Sequence, residues 1–117
     1  VNIASGSGIN PSVRTPAYGA SKAAVIHYTR TQAATLMKKG IRVNCIAPGS
    51  IEFPGGSWER RKSDAPALYN SILNAIPGGR LGTPEEVARV VVFLASPMAN
   101  WVTAQIIQVN GGQGFGR

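Results

Sequence analysis

Tyr18 and Lys22 stand four residues apart in an alanine-rich run, a spacing that sets a phenol and an ammonium on one face of a helix. A free phenol loses its proton near pH ~10. A neighbouring positive charge favours the phenolate, and the positive potential of a helix N-terminus acts in the same direction. Such a tyrosine can pass a proton to or from a substrate oxygen. Alone, the spacing also fits an ordinary helix surface. Ser5 adds a third group, because it ends a β-prone stretch and open α/β sheets bind ligands at the C-terminal ends of their strands. Its hydroxyl there can hold a carbonyl oxygen; the other reading is a turn serine that caps local backbone.

The elements that must position these groups follow from periodicity and punctuation. Val1 to Ser5 is apolar and strand-like, and the Gly, Ser, Asn and Pro of Gly6 to Arg14 predict a loop. Thr15-Pro16 offers a hydroxyl cap and a first-turn proline, so a long helix is expected from Pro16 to Lys39, stopped by Gly40. Tyr18, Lys22, Ile26, Thr29, Ala33 and Leu36 share one face of it. Ile41 to Ala47 predicts a second strand, ended by Pro48-Gly49. The stretch from Ser50 to Leu81 is punctuated by Pro and Gly and predicts a long connection, functional or mobile, with one short helix near Ala67 to Ala75. Thr83 and Glu86 have capping-box spacing around Pro84, opening an apolar helix to Ala95. Gln105 to Val109 predicts the last strand, followed by an irregular glycine-rich tail. Strands alternating with helices predict an α/β fold of parallel β-α-β units: three strands, two main helices and a helix in the long connection. Parallel sheets need cover on both faces, so a further portion of chain or other copies must meet the exposed side.

Composition narrows the partners. The 117 residues fit one domain, and 44% apolar content marks a globular chain. No apolar run is long enough for a membrane span and the first residues do not read as a signal peptide. Cys45 is the only cysteine, which excludes an internal disulfide framework and a multi-cysteine metal site and suits the cytoplasm. His27 has no companions to make a metal site and reads as structural. The net charge of +7 is compatible with acidic partners, phosphorylated ligands or an acidic segment elsewhere. The basic residues are scattered, so nucleic acid is not expected as a partner.

Four segments now come together: Asn2 to Gly8, Tyr18-Gly19-Ala20-Ser21-Lys22-Ala23-Ala24, Arg42 to Gly49, and Val109-Asn110-Gly111-Gly112. In this order they resemble the short-chain dehydrogenase/reductase family, over essentially the whole chain and the C-terminal half of a typical member. The resemblance implies the C-terminal part of a Rossmann-like, doubly wound parallel sheet, with residues 1–117 as the catalytic half of one dinucleotide-binding domain and the cofactor-phosphate half absent. It implies an oxidoreductase of small alcohols or ketones using NAD or NADP, similar in general style to reductases of 3-oxoacyl thioesters. Tyr18 would be the acid/base, Lys22 its activator and a ribose ligand, and Ser5 the group that orients the substrate. Pro48, Gly49 and Ile51 would line the nicotinamide side. Homodimers or homotetramers, a cytoplasmic setting and no membrane are implied as well.

Two departures stand out. Asn110 replaces a common Asp, and Glu52-Phe53 replaces a threonine that often follows the P-G-x-I segment. Gly111-Gly112-Gln113-Gly114 is no dinucleotide fingerprint, since it follows the last strand and opens no helix. In the long connection Phe53, Trp58, Leu68 and Tyr69 can face an apolar substrate, while Arg60, Arg61 and Lys62 either meet an anion or form a solvated basic turn. The competing reading of the whole chain is a catalytically incomplete fragment with an assembly role only.

Overall fold

The computed structural model describes residues 1–115. Three parallel strands form its sheet in the order β1 (Asn2–Ile3), β2 (Cys45–Pro48), β3 (Ile106–Val109). Asn2 pairs with Cys45, and Cys45 with Ile106. A strand flanked on both edges carries the core, which is why β2 is apolar throughout: Cys45, Ile46 and Ala47 are completely buried. The α/β class and all three strands are as the sequence predicts. The second strand, however, begins at Cys45 rather than Ile41. Side chains replace ladder partners just before it: Val43 N–H donates to Thr103 Oγ1 (3.1 Å), Asn44 Nδ2 donates to the Val102 carbonyl (2.8 Å), and Gln105 N–H donates to Asn44 Oδ1 (3.0 Å).

Helix α1 (Pro16–Leu36) continues into a 3₁₀ turn at Met37–Lys39 and stops at Gly40, matching the predicted span. Its start is built differently from expectation. The Thr15 side chain makes no capping bond; its hydroxyl pairs instead with Ser12 Oγ at 2.9 Å, so a loop serine claims the group that would have capped the helix. Thr29 and Ala33 on the predicted face are buried. Asn2 Nδ2 donates to Thr29 Oγ1 (3.0 Å) and Gln32 Oε1 (3.1 Å), which fixes β1 against the middle of α1.

The long connection carries two helices, α2 (Ser57–Asp64) and α3 (Pro66–Asn74), where the sequence reading gave one. The polar α2 has no apolar repeat to betray it. Charge placement supports it instead: Glu59 accepts from Gly55 N–H (3.1 Å) in the first turn, and Arg61 and Lys62 sit in the last, each complementing the helix dipole. Trp58 of α2 packs on a small core of Tyr69, Ile76 and Leu81, separate from the main core of Ile46, Leu94 and Ala99. Among the described residues no helix is long and apolar enough to cross a membrane.

Helix α4 (Pro84–Ala95) closes the main core over β2. At its far end Arg42 donates to the Leu94 and Ser96 carbonyls (2.9 and 3.3 Å), satisfying groups that a helix end leaves open. At its start the predicted capping box is complete: Thr83 N–H donates to Glu86 Oε2 (2.9 Å), and Glu86 N–H to Thr83 Oγ1 (3.4 Å). Arg80 also grips the Glu86 carboxylate at 2.6 and 3.0 Å. The Arg80 guanidinium, and after it the Thr83 backbone, hold the Glu86 carboxyl below its ordinary 4.5, at about 2. A carboxyl depressed on folding stabilises the fold above its unfolded value, and that share is lost as pH falls through the folded value. Urea unfolding at a series of pH values should therefore show part of the stability disappearing from about pH 4.5 down to about 2. Glu86→Gln should remove that part; an acid limb identical to wild type would exclude the cap as its source.

Candidate active site

The turn after β1 lies directly on helix α1, and two glycines make this approach available. A Cβ on Gly8 would stand 2.6 Å from the Lys22 carbonyl carbon and 2.7 Å from the Ala23 nitrogen, both backbone atoms. A Cβ on Gly19 would stand 2.7 Å from Ser12 Cβ and 2.9 Å from the Ser7 carbonyl oxygen. The Ser5 turn and the first turns of α1 thus meet backbone to backbone. A 3₁₀ turn at Gly6–Gly8 carries the chain into this contact, and Ser5 is its N-cap, accepting from Ser7 N–H at 3.2 Å. The local-cap reading of Ser5 is therefore correct, and it leaves the serine's own O–H available to donate.

On the helix side, the Lys22 ammonium lies 5.6 Å from the centroid of the Tyr18 ring and donates to the Ile3 carbonyl at 3.4 Å. That bond ties the ammonium to the end of β1 and keeps it beside the phenol. Tyr18, 47% exposed, opens with Ser5 onto a cleft of about 850 Å³ at the C-terminal ends of the strands. Pro48 and Gly49, ending β2, form another part of its wall. Ile51 lies elsewhere: it pairs with Gly82 and lines a smaller pocket of about 170 Å³ with Val109 and Glu86. Lys22 is outside the cleft lining.

The connection contributes Trp58, Arg61 and Leu68 to the lining of the same cleft. Of the other residues proposed to meet substrate, Tyr69 is buried beneath Trp58 and donates to the Glu52 carboxylate at 3.1 Å. Burial first, and the Glu52 carboxylate second, push the Tyr69 hydroxyl above its ordinary value, so it stays a protonated donor. It anchors the connection and is no base. Lys62, exposed on α2, stands 4.0 Å from Glu52. Glu52, read as a departure from a family threonine, thus holds α2 and α3 to the segment after β2.

Sequence reasoning missed the tail's part. Gln113 lines the cleft and clamps Ser50 from both sides: its Oε1 accepts from Ser50 N–H (2.8 Å) and its Nε2 donates to Ser50 Oγ (3.0 Å). Asn110 Nδ2 donates to the Gln113 carbonyl (2.9 Å) and its Oδ1 accepts from Gly112 N–H (3.0 Å), folding the tail back across the end of β2. No local pattern marks this pairing, because its partners lie 63 residues apart. Arg14, also on the cleft wall, was likewise passed over as loop.

A model of the Enoyl-(Acyl carrier protein) reductase family matches residues 1–113. The chain belongs to the short-chain dehydrogenase/reductase family. Among the dehydrogenase/reductases similar to it is the 3-oxoacyl-[acyl-carrier-protein] reductase of Thermotoga maritima, 45% identical over 112 residues, which cover 96% of this chain and 44% of that protein. A 3-oxoacyl-[acyl-carrier protein] reductase from Brucella melitensis with bound NAD superposes with a TM-score of 0.78 at 35% identity, covering 95% of this chain and 38% of that one. An Agrobacterium tumefaciens structure with bound NADP gives a TM-score of 0.87 at 41% identity, covering 96% and 44%. The chain therefore spans less than half the length of these relatives.

The glycine contact supplies its own test. Gly8→Ala forces backbone apart where no flexible side chain can yield, an overpacking cost of about 1–3 kcal/mol. Urea unfolding of the variant should show that loss, whereas Gly6→Ala, whose Cβ would sit 3.6 Å from its neighbour, should lose much less. Equal losses at both positions would refute the close-contact account.

Proposed function

We propose that this chain supplies the catalytic part of an NAD(P)-dependent oxidoreductase acting on alcohols or ketones, and that residues 1–117 are one portion of a single dinucleotide-binding domain. The observation that carries the proposal is the shared cleft of Ser5 and Tyr18, with the Lys22 ammonium 5.6 Å from the phenol ring. In the reductive direction Ser5 Oγ donates to the substrate carbonyl oxygen and holds it against the Tyr18 hydroxyl. Tyr18 gives its proton to that oxygen as the carbonyl carbon gains a hydride, so oxygen and carbon end as a neutral alcohol. Lys22 favours the phenolate that remains, which then takes a proton back. Oxidation runs the same steps in reverse.

The residues present fit a nicotinamide. Pro48 and Gly49 offer a wall without long side chains, where the parallel strands end. Lys22 uses one donor on Ile3 and keeps two for ribose hydroxyls. The nicotinamide, when bound, supplies or accepts the hydride. Related structures hold NAD in one case and NADP in another, so both belong in the assay. Ile51, outside the cleft, is proposed to act by placing the segment after β2 rather than by a wall contact.

Self-association belongs to the same proposal. Val92 and Phe93 on α4 and the following Met98 and Trp101 are 67, 41, 84 and 91% exposed, an apolar surface of the kind that marks an interface. A homodimer or homotetramer formed through this face covers it. Sedimentation should show an oligomer that Trp101→Glu with Phe93→Glu dissociates; a monomeric wild type would remove this element.

The chemistry is tested in the full-length protein with NADH and NADPH. Tyr18→Phe keeps the ring and removes the proton, so kcat should fall by about 10²–10⁴ with little change in fold. Turnover that survives unchanged would end Tyr18's assignment.

A further inference from the structure

Arg14 and Arg61 approach the cleft from different parts of the chain, one from the loop before α1 and the other from α2. Of the three basic residues at 60–62, the structure brings only Arg61 to the wall: Lys62 points to Glu52 and the ring of Tyr69, and Arg60 is outside the lining. The Arg61 guanidinium stands 4.6 Å from the centroid of the Trp58 ring. Stacking of this kind holds a guanidinium in one plane and leaves its edge free to donate. Among the described residues the ion pairs are Lys62 with Glu52 and Arg80 with Glu86, so no described carboxylate neutralises either cleft arginine.

The same cleft is lined by Trp58 and Leu68 and by Ser5 and Tyr18. A molecule that fills this cleft can present a carbonyl to Ser5 and Tyr18, an apolar body to Trp58 and Leu68, and an anionic group to the two arginines. Arginine forks match the paired oxygens of carboxylate and phosphate groups. We infer that Arg14 and Arg61 form an anion-recognising end of the substrate cleft, and that the oxo substrate carries a carboxylate or phosphate group remote from its reacting carbonyl. This rests on the oxidoreductase reading for the carbonyl end, whereas the anion end stands on the arginines themselves.

The test is made on the full-length protein and has two independent readouts. The first compares kcat/KM for a 4- to 6-carbon oxo acid, its methyl ester, and a phosphopantetheine thioester against the same acyl group on N-acetylcysteamine, which lacks the phosphate. A preference for the acid over its ester assigns a carboxylate; a preference confined to the phosphopantetheine carrier assigns a phosphate. In Arg14→Gln and Arg61→Gln the preferred charged-to-neutral ratio should fall about tenfold, the worth of a charge-assisted hydrogen bond. Arg61→Lys keeps charge but loses the planar fork, so only part of the ratio should return.

The second readout is calorimetric titration with the saturated carboxylic acid and with phosphopantetheine, which needs no turnover. Binding should weaken about tenfold in each arginine variant and survive Tyr18→Phe. Binding without turnover would thus retain the anion site while removing the oxidoreductase reading. Equal use of charged and neutral substrates would overturn the inference, as would variants that raise KM for the dinucleotide and leave the substrate ratio intact.

Discussion

The contact between the β1 turn and helix α1 is the constraint on which the site depends. Ser5 sits on the turn, and Tyr18 and Lys22 on the helix, so their separation is set by how closely two backbones approach. Gly8 and Gly19 remove the side chains that would hold them apart. Asn2, bonded to Thr29 and Gln32, fixes the same strand three helical turns further on, so β1 is held at both ends of its contact. Hydrogen bonds alone would leave the turn free to slide along the helix, whereas close-packed backbone permits one arrangement. The Lys22 bond to Ile3 closes the loop of constraints by tying the ammonium to the strand that carries Ser5.

Most of the architecture was legible because it rests on local signals. The capping box at Thr83 and Glu86, the proline at the start of α1 and the glycine after Lys39 act over a few residues, and the structure holds each boundary they mark. The Thr15 cap failed because its competitor, Ser12, is unpatterned loop. Helix α2 escaped notice because apolar periodicity is the primary signal of a helix and α2 has none. Its charges were in the expected places for a helix dipole, and that weaker signal was the one available. The early start predicted for the second strand followed from β-propensity, which cannot see that Thr103, Val102 and Gln105 come to Val43 and Asn44 from 58 to 61 residues away.

The site divides along the same line. Tyr18 and Lys22 were readable because a helix turns four residues of sequence into a spatial neighbour. Ser5 was readable only once the strand before it was placed. Gln113 and Ser50 were not, since a glutamine in a glycine-rich tail announces nothing until its partner is known. Glu52 is the instructive case: a departure from a family threonine in the sequence, it is in the structure the acceptor for the buried Tyr69 hydroxyl, an anchoring role that the sequence does not announce.

These two kinds of residue govern different properties. Ser5, Tyr18 and Lys22 are placed by backbone contact between the turn after β1 and helix α1, and little in that contact can vary without separating them. The far wall is placed by side chains of a connection with its own small core of Tyr69, Ile76 and Leu81, held to the sheet mainly through Glu52 and the Ile51–Gly82 bridge. Residues on such a wall can change charge or size while Ser5, Tyr18 and Lys22 stay where they are. In the proposed reading chemistry lies with the scaffold and selectivity with the connection, and the two arginines divide between them: Arg61 belongs to α2 of the connection, whereas Arg14, one residue before Thr15, is carried by the loop that leads into α1. Under that proposal a substrate held by both would be registered against helix α1 as well as against the connection, so its charged end would help to set the position of its carbonyl.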